Sequence, residues 1–375
     1  MTKYKFDEIA INSTQKKKPT EEDKVYYIGL EHIDPGCFDV VRWGSDVAPT
    51  GDKLLMQKGD VLFGKRRAYQ RKVAIAPFDG IFSAHGMVLR PNLKVIDANY
   101  FPFFISSDKF METAVRISVG GLSPTINWKD LARQEFELPS LDEQKVLADK
   151  LWAAYRLKEA YKKLLVATDE MVKSQFIEMF GNVESYCKLE DLVSDTFPGE
   201  WGSEPASENA IKVIRTTNFT NEGHLDLADV VTRDIEPKKV ARKKLKQGDT
   251  ILERSGGTKD NPVGRVVFFD EIGDYLPNNF TQVLRPKESV NPVYLFYALY
   301  NSYNINKAAM RAMASQTTGI QNLSMSDFMA KSIVLPSRDE QNKFEQIYRQ
   351  ADKSKFELRK SIDAIDKVIR SLING

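Results

Sequence analysis

Nine consecutive residues, Gly64 to Lys72 (GKRRAYQRK), crowd Lys65, Arg66, Arg67, Arg71 and Lys72 around one aromatic, Tyr69. Side chains of these types grip phosphate, and an arginine fork also matches the paired acceptors of a guanine edge. One such loop on its own is as readily a solvated surface turn. A second stretch, ERSGGTKDNPVGR from Glu253 to Arg265, occupies the same slot later in the chain. Both follow a Gly-Asp turn and a short apolar run. The second sets Arg254, Ser255, Thr258, Lys259 and Asn261 about the Gly256-Gly257 pair. Glycine lets backbone N–H groups approach phosphate, and asparagine pairs with adenine. Equivalent placement twice favours binding loops over two solvated turns.

Farther along, Gly120, Gly121, Ser123, Thr125 and Asn127 are matched by Thr317, Thr318, Gln321 and Asn322. Small hydroxyl and amide groups beside glycine suit phosphate contacts, although a helix-capping turn uses the same residues. His85, near Ser83 in FSAHGMVLR, is either a base reader or an ordinary packed histidine. The run Lys16 to Lys18 is a solvated loop or a backbone contact.

Catalytic signatures are missing. The chain has no F-x-G-x-G for S-adenosylmethionine, no D/N-P-P-Y/F for base methylation and no G-x-x-x-x-G-K-[ST] P-loop. It also lacks G-x-S-x-G and H-E-x-x-H. Three scattered histidines (His32, His85, His224) and two cysteines (Cys37, Cys187) assemble no zinc site. No catalytic residue and no metal ligand is expected, and both thiols read as inert.

The elements that position these loops come in duplicate. LPSLDEQ from Leu138 recurs as LPSRDEQ from Leu335, 197 positions later, and the preceding twenty residues keep that offset. LRP at Leu89 matches LRP at Leu284, KGDVLFGKR at Lys58 matches QGDTILERS at Gln247, and YKFDEIA at Tyr4 matches CKLEDLV at Cys187. A period this long is a duplicated domain and not a solenoid.

Each copy begins with short strand-like runs and turns. Val25 to Leu30, Val61 to Phe63, Val73 to Ala76 and Gly86 to Leu89 read as strands, as do Ile211 to Arg215, Thr250 to Glu253, Gly264 to Phe269 and Thr281 to Leu284. Tyr100 to Phe110 and Val293 to Tyr303 read as helices. Each copy ends in a long helix opened by an S-x-x-E capping box, Ser140 with Glu143 and Ser337 with Glu340. The first would run from Asp142 to Phe180, about 58 Å at the ordinary helical rise. Leu358, Ile362, Ile365, Ile369 and Leu372 form a heptad-like seam, matched by the weaker Tyr161, Leu165, Thr168, Val172 and Gln175. With Leu147 and Phe344 these residues are the expected helix or subunit interface. Matching seams point to an antiparallel coiled coil, chosen over separate helices because neither helix shows apolar content on its other faces. The fold class is α+β, with two pseudo-symmetric domains (1–136 and 187–334) and two helical spacers (137–186 and 335–375).

Composition sets the bounds. The 375 residues are 42% hydrophobic and carry 54 Lys+Arg against 52 Asp+Glu. The first domain is net +3 and the second net −1, so any nucleic-acid surface is local. No apolar run approaches a membrane span. The N-terminus does not read as a signal peptide. Two cysteines suit a reducing cytoplasm.

Taken together, the LPSLDEQ/LPSRDEQ pair, GDVLFGKRRAYQRKVAIAPFDGIFSAHGMVLRP and the SGG…PVGR…NNFTQVLRP stretch from Ser255 resemble the specificity subunit of a Type I restriction-modification enzyme. The resemblance covers nearly the whole chain. It implies two target-recognition domains, each reading half of a split asymmetric sequence in double-stranded DNA, and helices that fix the unread spacer. It implies a non-catalytic cytoplasmic, nucleoid-associated subunit. That subunit would recruit two modification (methyltransferase) subunits that bind S-adenosylmethionine, and restriction (motor-nuclease) subunits that use ATP and Mg. A duplicated scaffold for protein partners, without DNA specificity, is the competing reading.

Overall fold

A computed structural model describes residues 1–206, 210–258, 260–317 and 319–374. The chain divides into two compact units, Met1–Lys163 with Leu358–Gly375, and Leu164–Glu357. Each long helix gives one half to each unit. The first unit holds an antiparallel sheet in the order Ala10–Ser13, Met87–Pro91, Val61–Phe63, Val73–Ile75. The second holds Val193–Pro198, Thr281–Pro286, Thr250–Glu253, Val266–Phe268 in the equivalent order. The middle strand Val61–Phe63 is a continuous apolar run because both its faces are covered, and all three residues are buried. A smaller sheet beside each repeats a parallel pairing, Tyr27–Ile28 with Gly80–Phe82 and Ile211–Ile214 with Tyr275–Pro277. The fold is α+β, as the periodicities indicate.

Two sequence expectations change. Val25 to Leu30 is only a two-residue strand between 3-10 turns at Glu21–Tyr26 and Leu30–His32. Asp23 accepts from the Thr20 N–H and hydroxyl at 2.8 and 2.9 Å, which favours the turn over an extended chain. The Tyr100 to Phe110 helix breaks at Ser107, whose extended backbone ends one helix and whose hydroxyl caps the next by accepting from Phe110 N.

The repeated motifs prove to be bonds. The aspartate of each Gly-Asp turn is buried and takes a bidentate arginine from the LRP motif. Asp60 accepts from Arg90 at 2.7 and 2.9 Å, and Asp249 from Arg285 at 2.8 and 2.7 Å. In each LPSxDEQ motif the capping box closes, with Ser140 N donating to Glu143 at 2.8 Å and Ser337 N to Glu340 at 2.9 Å. The final glutamine is buried and ties the helix to its unit. Gln144 accepts from Asp97 N and donates to the Val95 and Pro139 carbonyls, while Gln341 accepts from Asn291 N and donates to Pro336 O.

The central helix, Leu141–Phe180, has 40 residues and the C-terminal helix, Arg338–Asn374, has 37. They pair antiparallel. Lys158 binds Asp366 at 2.8 Å in the first unit, and Lys355 binds Asp169 at 2.8 Å in the second. Both members of one bond lie 197 positions from their counterparts in the other, so this is one interaction made twice. Tyr161, Leu165, Leu358, Ile362 and Ile365 are half-buried along the seam, and Val172 is buried.

Contrary to the expectation that the helices pack only on each other, the same four-three stripe runs on into each unit's core. Gln144, Ala148, Leu151 and Tyr155, spaced four, three and four apart, are buried, and the last three join the first unit's core with Leu147, Ile369 and Leu372 beside them. Phe344, Tyr348 and Ala351 do the same in the second, where Phe344 packs on Phe176 and Tyr297 rings at 5.1 and 5.0 Å. Small and polar residues within the stripe hide it from a hydrophobicity pattern. No helix among the described residues is long and apolar enough to cross a membrane.

The Lys355–Asp169 bond is asymmetric in burial, with side chains 6% and 50% exposed. Removing the aspartate strands a buried ammonium, whereas removing the lysine leaves a carboxylate that water can reach. Asp169→Ala should therefore cost about 2–3 kcal/mol in urea unfolding, and Lys355→Met less than about 1 kcal/mol. Equal losses would contradict the burial argument.

Candidate nucleic-acid interface

The Val61–Phe63 strand delivers the chain into the basic loop. Three loops meet there through main-chain hydrogen bonds. Arg66 N donates to His85 O at 3.1 Å, Ile126 N to Lys65 O at 3.1 Å, and Arg67 N to Pro124 O at 2.8 Å. The loop carrying Lys65, Arg66, Arg67 and Tyr69, the turn carrying His85, and the segment carrying Ser123, Thr125 and Asn127 thus form one surface. Arg67 and Arg71 adopt left-handed backbone angles, φ 56° and 52°, on either side of a single 3-10 turn, Ala68–Gln70. Non-glycine residues seldom sit there, and the buried Ala68 side chain holds the turn down while Tyr69 stays 54% exposed.

The cations divide by role. Arg71 donates to Asp108 Oδ1 at 2.6 Å and to the Ser106 carbonyl at 3.0 Å, and Lys72 donates to Leu30 O at 2.6 Å. These two fasten the loop to its unit. Arg67 donates through Nε and Nη2 to Ser123 Oγ at 3.3 and 3.1 Å. Arg66 donates through Nη1 toward His85 Nε2 at 3.2 Å. Thr125 bonds the Ser123 carbonyl, and Asn127 bonds Asp130. Among the described residues, Lys65, Arg66 and Arg67 have no carboxylate partner in an ion pair.

Burial, and after it mutual repulsion, marks the result. Burial pushes the Lys65 amine below its ordinary pKa, and Lys16 lowers it further. Burial likewise lowers His85, with Arg66, Lys65 and Lys53 adding to the shift, so the ring is neutral at neutral pH. Lys16 and Lys53 sit on adjacent strands, Lys16–Lys17 and Lys53–Met56. Lys53 is a residue that sequence reasoning missed, because it lies outside any basic run and joins the cluster only through strand pairing. A concentration of uncompensated positive charge with free donors suits a polyanion.

The second unit repeats the framework with other side chains. Ser255 N donates to Phe280 O at 3.1 Å and Leu323 N to Arg254 O at 2.8 Å, reproducing the Arg66–His85 and Ile126–Lys65 bonds. The Arg66 to Thr125 bridge becomes the Ser255 to Asn322 pairing between Ser255–Gly256 and Ile320–Leu323. Ser255 Oγ donates to Asn322 Oδ1 at 2.7 Å, and Arg254 reaches Gln282 at 3.5 Å. Gly256 and Gly257 are left-handed, φ 113° and 66°, and a Cβ on Gly257 would lie 2.7 Å from Val263 N. Thr258 and Asn261 bond each other across the turn, and Lys307 Nζ donates to Asn261 Oδ1 at 2.8 Å. Thr317 lies on the hairpin strand Ala314–Thr317 that backs Ile320–Leu323. Lys259 and Thr318 fall outside the described residues. Below the loop, the buried Glu253 accepts from Arg265 Nε at 2.7 Å. Among the described residues, no group of three His, Cys, Asp or Glu side chains could hold a metal ion.

Comparison with known proteins agrees with this duplicated architecture. The family model for the Type I restriction modification DNA specificity domain matches residues 3–165 and again 189–365. The chain belongs to this family. It is 20% identical over 387 residues to the Type I restriction enzyme EcoKI specificity subunit of Escherichia coli K12, covering 94% of this chain and 82% of that one. It is also 20% identical over 386 residues to the StySPI specificity subunit of Salmonella potsdam, covering 94% and 81%. In fold it is similar to the S subunit of the Type-I restriction-modification system of M. genitalium, with TM-score 0.59 at 14% identity over 99% of this chain and 94% of that one. A chain from a type I R-M system, solved in work on complex assembly and conformational transition, gives TM-score 0.57 at 16% identity over 99% and 96%.

The buried arginine–aspartate pairs anchor the strands that lead into both loops. Asp249→Ala leaves Arg285 without its partner and should destabilise the second unit by about 3 kcal/mol in urea unfolding. Asp60→Ala should act less strongly in the first unit, since Arg90 is more exposed than Arg285.

Proposed function

We propose that this chain is the DNA-reading subunit of a Type I restriction-modification complex. Each unit reads one half of a bipartite, asymmetric duplex target, and the paired helices set the spacer between the halves. The observation that carries this is one hydrogen-bond framework, built twice, that presents different side chains at equivalent points. Arg66, His85 and Thr125 in the first unit stand where Ser255, Phe280 and Asn322 stand in the second. Equal frameworks suit equal approaches to a duplex, and unequal side chains suit unequal base sequences.

In this reading the subunit performs no chemistry. It recruits two modification subunits, which bind S-adenosylmethionine, and restriction subunits, which use ATP and Mg. The cation cluster supplies grip on phosphate in the first unit, and the partners add to it.

Selection from a random duplex pool, with the chain assembled with its modification subunits, tests the proposal. The expected result is two different half-sites at a fixed spacing. Enrichment of no sequence, or of one palindrome, would reject it. Deleting four residues from each helix should alter the permitted spacing while both half-sites persist. The double variant Lys65→Ala/Arg67→Ala should flatten the dependence of log affinity on log salt by about 1 to 2, measured by fluorescence anisotropy. An unchanged slope would remove both side chains from phosphate contact.

A further inference from the structure

The five cations of the basic loop differ in what they have left to offer. Arg71 is taken up by Asp108 and Ser106, and Lys72 by Leu30. Arg67 gives its Nε and Nη2 donors, one whole edge of the fork, to Ser123. Lys65 is a point charge without a fork. Arg66 alone among them keeps its Nε–Nη2 edge free among the described residues, because its one side-chain bond there runs from Nη1 to His85 Nε2 at 3.2 Å. That edge has the geometry to meet two parallel acceptors, and in the major groove only guanine offers the O6 and N7 pair.

Resting on the DNA-reading role proposed above, we infer that Arg66 reads a guanine in the half-site of the first unit, with His85 as the residue that positions its guanidinium. The His85 main chain is held from both sides. Its backbone N–H donates to Ser83 Oγ at 3.3 Å and its carbonyl accepts from the Arg66 N–H. A neutral ring accepts at Nε2 from the arginine and carries its proton on Nδ1, so it orients the fork without competing for the base. The neighbours of Arg66 are fixed as well, Lys65 O accepting from Ile126 N and Arg67 N donating to Pro124 O, the two bonds that make the bridge between Arg66 and Thr125. A guanidinium fixed at the main chain and at Nη1 has little rotamer freedom left to lose on binding, which is what discrimination between bases requires.

The second unit has no counterpart of Arg66 at the equivalent position. Ser255 occupies the Arg66 position and has given its hydroxyl to Asn322, and Phe280 replaces His85. The guanine preference assigned to Arg66 therefore belongs to one half-site only.

The test is selection from random duplexes with the chain assembled with its modification subunits, for the wild type, Arg66→Ala, Arg66→Lys and His85→Ala, each checked for an unchanged melting temperature. The wild type should prefer guanine at one position of one half-site by about ten- to a hundredfold. Both Arg66 variants should reduce that preference to about threefold or less and leave the other half-site intact. His85→Ala should weaken the preference at that guanine only. Placing 7-deazaguanine there should cost the wild type about tenfold and Arg66→Ala nothing, since the lost N7 is one of the two acceptors. Uniform weakening across all sequences would make Arg66 a phosphate contact and overturn the inference. So would an unchanged preference in a selective protein, or loss of preference at any base other than guanine. Failure of the wild type to select any sequence would instead overturn the DNA-reading role itself.

Discussion

A lysine ammonium taken out of water needs a carboxylate at a fixed place, and this chain sets that requirement twice. Lys158 finds Asp366 and Lys355 finds Asp169, each pair drawing one member from each long helix. Hydrophobic seams tolerate sliding, because one leucine packs about as well as the next. A buried charge does not, since a shift of one turn leaves it unpaired at a cost of several kcal/mol. The register of the helices is thus set by electrostatics and filled in by Leu358, Ile362, Ile365 and their partners. Gln144 and Gln341 tie the start of each helix to its own unit, at the Val95 to Asp97 segment and at Asn291.

Much of this was legible in the sequence as repetition before it was legible as structure. The Gly-Asp turn and the LRP motif stood out because each recurs, yet their meaning as one ion pair, Asp60 with Arg90 and Asp249 with Arg285, needed the strands brought side by side. The converse holds at the basic loop. Five adjacent cations are equivalent by residue type, and only three-dimensional neighbours separate Arg71 and Lys72, which fasten the loop, from Lys65, Arg66 and Arg67, which do not. Lys53 was invisible because its membership depends on pairing across a sheet. The helix stripe of Gln144, Ala148, Leu151 and Tyr155 was missed because an amide, a methyl and a phenol do not register as a hydrophobic period. The Tyr155 hydroxyl accepts from Phe38 N and bonds Asp39, so the polar end of this side chain is fixed in place along with its ring.

The two candidate surfaces show how a duplicated domain comes to do two different things. Their main sheets, parallel strand pairs, ion pairs and caps agree, while the smaller sheets differ in strand number and order. They differ where side chains leave the loops: a cationic, strained turn held by Ala68 in one, and a glycine turn closed by Thr258 and Asn261 in the other. Left-handed backbone is required in both, and it is met by arginines in one case and by glycines in the other.

The main-chain bonds that stitch the loops together have one more consequence, which concerns descent. A backbone hydrogen bond is indifferent to the side chain of the residue that makes it. The framework at Arg66, His85 and Thr125 survives replacement by Ser255, Phe280 and Asn322 because none of its bonds depends on those side chains. Substitutions at such points alter what the surface recognises while leaving the architecture unpunished. Single substitutions at these three points can therefore change the side chains the surface presents without breaking the bonds that shape it.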